Sequence, residues 1–424
     1  MKLPPTHAIM AEILERAKTV LTVDSHQHLS PETPLTTDLV RLILMDSYVS
    51  TDLVSAGLPP ENLERWRDPD LPLAKRWLQL LPFWKQVQHG SYARAILVTA
   101  GDLYGASGFK SLTEIETVSS RLSEDFRQPG LFERLFVQRC RIDTVLTQSP
   151  APFTGRRPRF YWVFRPLDRA DFSPGGLFEQ DCAKAGILLR SASDLPAAMD
   201  AILKKARQQG ATGFKGVAMA WSAPDEEELR EAWAHRSQSA LLPGHPFLRL
   251  YLARMAAVAA EVDIPVALHT GAPWTNWLDY RQWEPTGLIP LFLSFRETRF
   301  DLYHAGLPYP DQASLLAKTF PNVWHNLTWA HLISPEMARR CISTWLDTVP
   351  INKILGFGGD YSNETVVLTY GHLAIARENV ASVLAQRIKD GLLNQDEARY
   401  ILKAWFSENP RNLYRLPGQT TTSP

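Results

Sequence analysis

Residues 20–28, VLTVDSHQH, constrain this chain more than any other stretch, because an apolar strand pattern (Val20, Leu21, Val23) runs straight into His26-Gln27-His28. Side chains alternate along a strand, so the two histidines project to one side, about 7 Å apart along it. Two imidazoles sharing a face at the end of a buried strand can share a divalent ion. A catalytic zinc takes about three protein ligands and keeps one position open, so other strands should also end in ligand residues. Three do: DIPVALH ends on His269, RFDLYH on His304, and INKILGFGGD on Asp360, after glycines that allow close backbone approach. Four such strand ends on one chain predict a metal site.

Between these strands the apolar rhythm alternates. Strands are expected near Ile142–Thr147, Arg159–Arg165, Gly213–Ala220, Pro265–His269, Phe300–His304, Val323–Thr328 and Lys353–Gly358, which with the first strand makes eight. Helices are expected near Leu195–Gln209, Pro246–Ala260, Leu288–Phe295, Asp311–Phe320 and Pro335–Thr348. Near-continuous apolar strands alternating with helices give a parallel sheet, and eight such units favour an α/β fold of the closed (β/α)8 TIM-barrel type. Such barrels carry their chemistry at the C-terminal ends of the strands, where His26, His28, His269, His304 and Asp360 fall.

A short helix over residues 8–18 leads into strand one. A helical insertion of about residues 30–136 follows it, with helical spacing at Leu39–Leu58, Leu73–His89 and Leu112–Phe126. Trp66, Trp77, Phe83 and Trp84 should form its own small core, with a lid over the site as the second reading. Extra C-terminal helices at Glu364–Gly391 and Gln395–Ser407 complete a single domain of residues 1–417, and 418–424 form a frayed tail.

Composition excludes several partners. Lys+Arg and Asp+Glu both number 45, so neither nucleic acid nor an anionic membrane surface is indicated. No uncharged run reaches the 18 or so residues of a membrane span, and the charged first 21 residues lack the apolar centre of a signal peptide. Cys140, Cys182 and Cys341, odd in number and scattered, read as reduced core thiols in the cytoplasm. The partner expected is therefore a small molecule, and a homo-oligomer is compatible with the composition.

The ordered set (HxH on strand one, His on strands five and six, Asp on strand eight) resembles the amidohydrolase superfamily, and its uronate isomerase branch in particular. LILMDSYVSTDLVSAGLP is similar to that branch's segment after HxH, RFYWVFRPLD to its strand-three motif, and VALHTGAPWTN to its strand-five stretch. ILGFGGDYS with YGHLAIARENVASVL is similar to its strand-eight motif and trailing helix, so the resemblance spans nearly the whole chain. There are departures. The isomerases carry an arginine soon after the strand-eight aspartate, where this chain has Tyr361 and Ser362, and Thr147-Gln148-Ser149-Pro150 replaces an acidic strand-two motif. His304 is more typical of the superfamily's hydrolases.

The resemblance implies one divalent ion, with zinc favoured and Mn, Fe, Ni or Co as alternatives, held by His26, His28 and His269, with Asp360 completing the shell or hydrogen-bonded to the metal-bound water. It also implies catalytic roles for Asp360 as general base and for His304 as a second-metal ligand or substrate polariser. Four residues are candidates for substrate binding. Arg165 ends strand three with a planar fork suited to a carboxylate. Trp274 and Arg281 sit among the aromatic residues Trp277, Tyr280 and Trp283 after strand five. Lys215, on strand four, could be carboxylated and bridge two metals as in binuclear relatives, but it lies early in GFKGVAMA, too deep for the mouth, where pairing with an interior carboxylate is the simpler expectation. His325 and His331 are poor ligand candidates, and Tyr370, His372 and Arg377 fit a helix-packing seam. Three reactions follow. The first is metal-dependent hydrolysis of a small carboxylated amide, ester or lactone. The second is aldose–ketose isomerisation of a uronate, and the third nonoxidative decarboxylation or hydration. A noncatalytic binding barrel is disfavoured because no ligand position is lost.

Overall fold

The computed structural model describes residues 6–155, 157–217, 220–237, 244–273 and 275–417. Eight parallel strands run β1 (Thr22–Gln27), β2 (Ile142–Thr147), β3 (Arg159–Phe164), β4 (Gly213–Val217), β5 (Val266–His269), β6 (Phe300–Tyr303), β7 (Val323–Asn326) and β8 (Ile354–Leu355), each bonded to the next in chain order. The chain just past β8 closes the ring on β1: Ser25 N–H donates to the Phe357 carbonyl at 3.1 Å, Asp360 N–H to His26 at 2.8 Å and His28 N–H to Tyr361 at 2.9 Å. This is the (β/α)8 barrel expected from the alternation.

The expected outer helices form at Leu195–Gln208, Pro246–Glu261, Pro310–Thr319 and Pro335–Thr348. Proline opens the last three of these within the first turn, where its missing N–H costs nothing. The expected helix at 288–295 shortens to Ile289–Ser294. Strand four, expected to reach Ala220, ends at Val217, and residues 218–219 lie outside the described residues.

The insertion differs from expectation at one functional point. The helix expected across 39–58 breaks at Asp46 into Leu39–Met45 and Ser47–Ser55. Asp46 closes the first helix through its own N–H to Leu42 and caps the second by accepting from Tyr48 N–H at 3.2 Å. Helices at Pro60–Arg67 and Ser91–Tyr104 are additional to those expected. Trp77 packs on Trp84 and Trp66 on Phe83, but this cluster is continuous with the apolar layer around the barrel and is not a separate core.

At the C-terminal end of the chain, helices Thr369–Lys389 and Gln395–Lys403 stand where expected. A π-turn and a short helix (Asn409–Leu413) follow, setting Leu413, Tyr414 and Leu416 against Val23, Leu146, Val163 and Leu355 inside the barrel. Tyr414 lies against Gly213, the first residue of β4, so it plugs the N-terminal end of the barrel. The expected tail, 418–424, lies outside the described residues. All three cysteines are buried and free, and among the described residues no helix is long and apolar enough to cross a membrane.

Candidate active site and metal centre

A cavity of about 350 Å³ opens at the C-terminal ends of the strands, near the lower end of the range for small-molecule sites. Three side chains converge in its wall: His26 Nε2 lies 2.9 Å and His28 Nε2 3.1 Å from Asp360 Oδ1. The two rings meet edge to face at 4.8 Å, as their shared strand face requires. Asp360 reaches this point through a left-handed backbone (φ 63°), a conformation that costs a non-glycine residue about 1–3 kcal/mol. Neighbours hold it there. Tyr48 Oη–H donates to the Asp360 carbonyl at 3.0 Å, and Tyr361 N–H to Gln27 Oε1 at 2.7 Å. Glycine is required just before it, since a Cβ at Gly358 would strike Thr328 and one at Gly359 would strike Gln27.

Burial drives the His26 imidazole well below its ordinary range, against the pull of Asp360. Burial pushes the Asp360 carboxyl upward, but the neighbouring His26 and His28 outweigh it and hold the group well below the usual carboxylate range. The direction we assign to the pair is a neutral imidazole and an ionised carboxylate, the forms in which both are metal ligands.

Behind His26, the Gln148 amide nitrogen lies 3.4 Å from Nδ1, while its buried Oε1 has no partner. Turning the amide over places Oε1 against Nδ1–H and satisfies the orphan oxygen, and a cation held between the three groups would then meet the Nε2 lone pair. Metal-binding histidines are ordinarily held this way, by an acceptor on the far nitrogen. Two neutral imidazoles and one carboxylate, with a carbonyl ready to fix one tautomer, fit a divalent ion of the borderline class.

His269 and His304 form a second group. His304 Nε2 lies 2.9 Å from His269 Nδ1, His304 Nδ1 lies 3.1 Å from the Thr328 carbonyl, and His269 Nε2 lies 3.0 Å from that of Ala272. Burial pushes His304 down to about 4 and His269 well below its usual range, so both rings are neutral and carry two N–H hydrogens for three contacts. His269 thus lines the cavity without joining His26, His28 and Asp360, the one group of three potential ligands converging among the described residues.

The other candidates separate. Arg165, just past β3, lines the cavity with its Nε 3.1 Å from Asp168 Oδ1, so it is not unpaired. Lys215 also lines the cavity, which corrects the expectation that it lies too deep. Nor does it pair with an interior carboxylate: its Nζ sits 4.4 Å over the Tyr303 ring. Arg281 is 80% exposed in a two-pronged pair with Asp279 and is not brought to the cavity. Trp274 lies outside the described residues. His325 and His331 bond to the carbonyls of Ala313 and Gly356, and Arg377 to that of Cys140, all in packing roles.

Sequence reasoning missed the wall supplied by the insertion, Met45 to Tyr48, and the placing of Gln148 and Thr365 in the cavity lining. A capping signal was present at Asp46, within the apolar run. Asp46 is buried, which pushes its carboxyl up to about 7.

The fold and the site define a class, barrel enzymes with a candidate metal centre at the strand C-termini. The sequence model described as "Amidohydrolase" matches residues 176–416, more than half the chain, and the chain belongs to that family. It is 25% identical over 166 residues to Protein fluG of Emericella nidulans, a match covering 39% of this chain and 19% of that protein. Its fold is similar to that of glucuronate isomerase from Caulobacter crescentus (TM-score 0.81, 17% identity, 99% of this chain and 96% of that one). It is also similar to uronate isomerase from Thermotoga maritima (TM-score 0.77, 15% identity, 98% and 100%). A Lactobacillus casei protein provisionally described as a metal-dependent hydrolase follows (TM-score 0.65, 17% identity, 95% and 97%). At these identities the structural likenesses establish the fold.

Proposed function

We propose that this protein is a metal-dependent hydrolase acting on a small carboxylated amide, ester or lactone. The observation that carries the reading is the convergence of His26, His28 and Asp360 on one point of a cavity at the barrel mouth. His26, His28 and Asp360 would hold one divalent ion, zinc favoured, with His269 on the neighbouring wall. When bound, such an ion supplies positive charge that acidifies water to a pKa of about 7 and polarises a carbonyl. Asp360, kept ionised, accepts the proton of the attacking water as general base. His304, neutral and fixed by the Thr328 carbonyl and by His269, stands on the same wall beside the reacting group. Arg165 binds the substrate carboxylate from the opposite side.

A second reading, isomerisation of a uronate, is favoured by the full-length fold likeness to two uronate isomerases. In it Asp360 would move a proton between adjacent carbons. Proton NMR in deuterated water, with panels of uronates and of carboxylated amides, esters and lactones, separates them. Isomerisation exchanges a carbon-bound proton, whereas hydrolysis gives acid and leaving group without exchange. Turnover of neither panel by metal-loaded protein would refute both readings.

A further inference from the structure

We propose that Arg165 and Lys215 together cradle one substrate carboxylate, which makes Lys215 a specificity-determining residue. The proposal rests on the acid-substrate reading above and deepens it. Lys215 is 4% exposed and faces the cavity from β4, beside Arg165 at the end of β3. Among the described residues its ammonium makes no hydrogen bond or ion pair, only the contact with the Tyr303 ring. A buried ammonium without an anion is costly, and a residue held only for packing would not be lysine.

The nearby carboxylates have other partners. Asp168 balances Arg165, and Asp360 is engaged by the histidines. Asp301 is held by Tyr414 at 2.8 Å and Asn326 at 3.1 Å, with burial pushing its carboxyl up to about 7. Lys215 is thus the cation of the cavity wall that has no carboxylate paired with it. Arg165 keeps its two terminal nitrogens for the substrate carboxylate, because Asp168 meets Nε.

A measurable consequence is a shift in the titration of Lys215. Burial first, then the charge of Arg165, lowers Lys215 to about 7, while Asp360, Asp301 and Asp168 pull it upward. His26, His269 and His304 also face it, and burial keeps them neutral. A bound carboxylate adds the missing anion and raises the titration midpoint of Lys215.

The test follows the lysine itself in the metal-loaded wild-type protein. Lysine labelled with ¹³C at Cε gives a Lys215 signal assigned by its loss in Lys215→Arg. The signal is titrated alone, with acetate, glycerate or D-glucuronate, and with the neutral probes glycerol and D-glucose. The expected result is an upward shift of at least one pH unit with a carboxylate probe and none with the neutral ones. Lys215→Met, with wild-type metal content and melting temperature, should bind the same probe about tenfold more weakly or worse. No shift with any of the three acids, or unchanged affinity in Lys215→Met, overturns the proposal. Absent turnover with carboxylate binding intact would instead count against the hydrolase and isomerase readings.

Discussion

Gln148 stands directly behind His26, its amide 3.4 Å from Nδ1 on the ring edge opposite Asp360. The contact ties a residue just past strand two to the tautomer of a strand-one candidate ligand. Gln148→Ala should leave the fold intact and weaken divalent-metal affinity by about 10–100-fold. Competition against a chromophoric chelator measures this, and unchanged affinity would remove Gln148 from the site.

Asp360→Asn keeps the shape of the side chain and loses its basic lone pair. Turnover should fall by roughly 10²-fold or more, with much of the metal retained by His26 and His28. Elemental analysis beside a turnover assay separates the two effects. Near-normal turnover would rule out the base role.

The Arg165 guanidinium faces the cavity from a point fixed by Asp168. Arg165→Met should cost acid substrates several kcal/mol in kcat/KM, on the order of the 2–5 kcal/mol lost when one partner of a buried charge pair is truncated. Metal content should stay unchanged. Equal losses for acid and neutral substrates would show that the arginine does not read charge.

Outside the cavity, burial lowers His325 and His331 to about 4. Below the unfolded-state value near 6.5 the unfolded chain takes up protons that the folded one refuses, so these histidines withdraw stability as pH falls from about 6.5 toward 4. Above 6.5 both states are neutral and the contribution is flat. His325→Gln should make the urea midpoint less sensitive to acidification in that window. An unaltered pH slope would show that His325 is protonated in the folded protein.

Much of this was legible in the sequence, because period two and strand ends are one-dimensional facts. His26, His28 and Asp360 each close an apolar run, and a parallel barrel delivers such positions to one mouth. Depth was not legible. Lys215 lies two residues below Val217, about 7 Å of strand, and its four-carbon stem spans that gap, so its side was readable and its reach was not. The break at Asp46 was hidden for another reason: helical periodicity continues across it, and only a side chain accepting from Tyr48 N–H ends one helix and begins the next. Arg281 misled because an aromatic-rich loop looks like a binding wall until Asp279 claims the guanidinium.

The hydroxyl of Tyr48 donates to the main-chain oxygen of Asp360, joining the insertion to the backbone of the strand-eight aspartate. Designers who treat barrel loops as interchangeable cassettes meet a constraint here. A graft that replaces residues 30–136 with another loop removes one of the bonds that hold Asp360 in its left-handed conformation, so the scaffold and its longest decoration would have to be redesigned together.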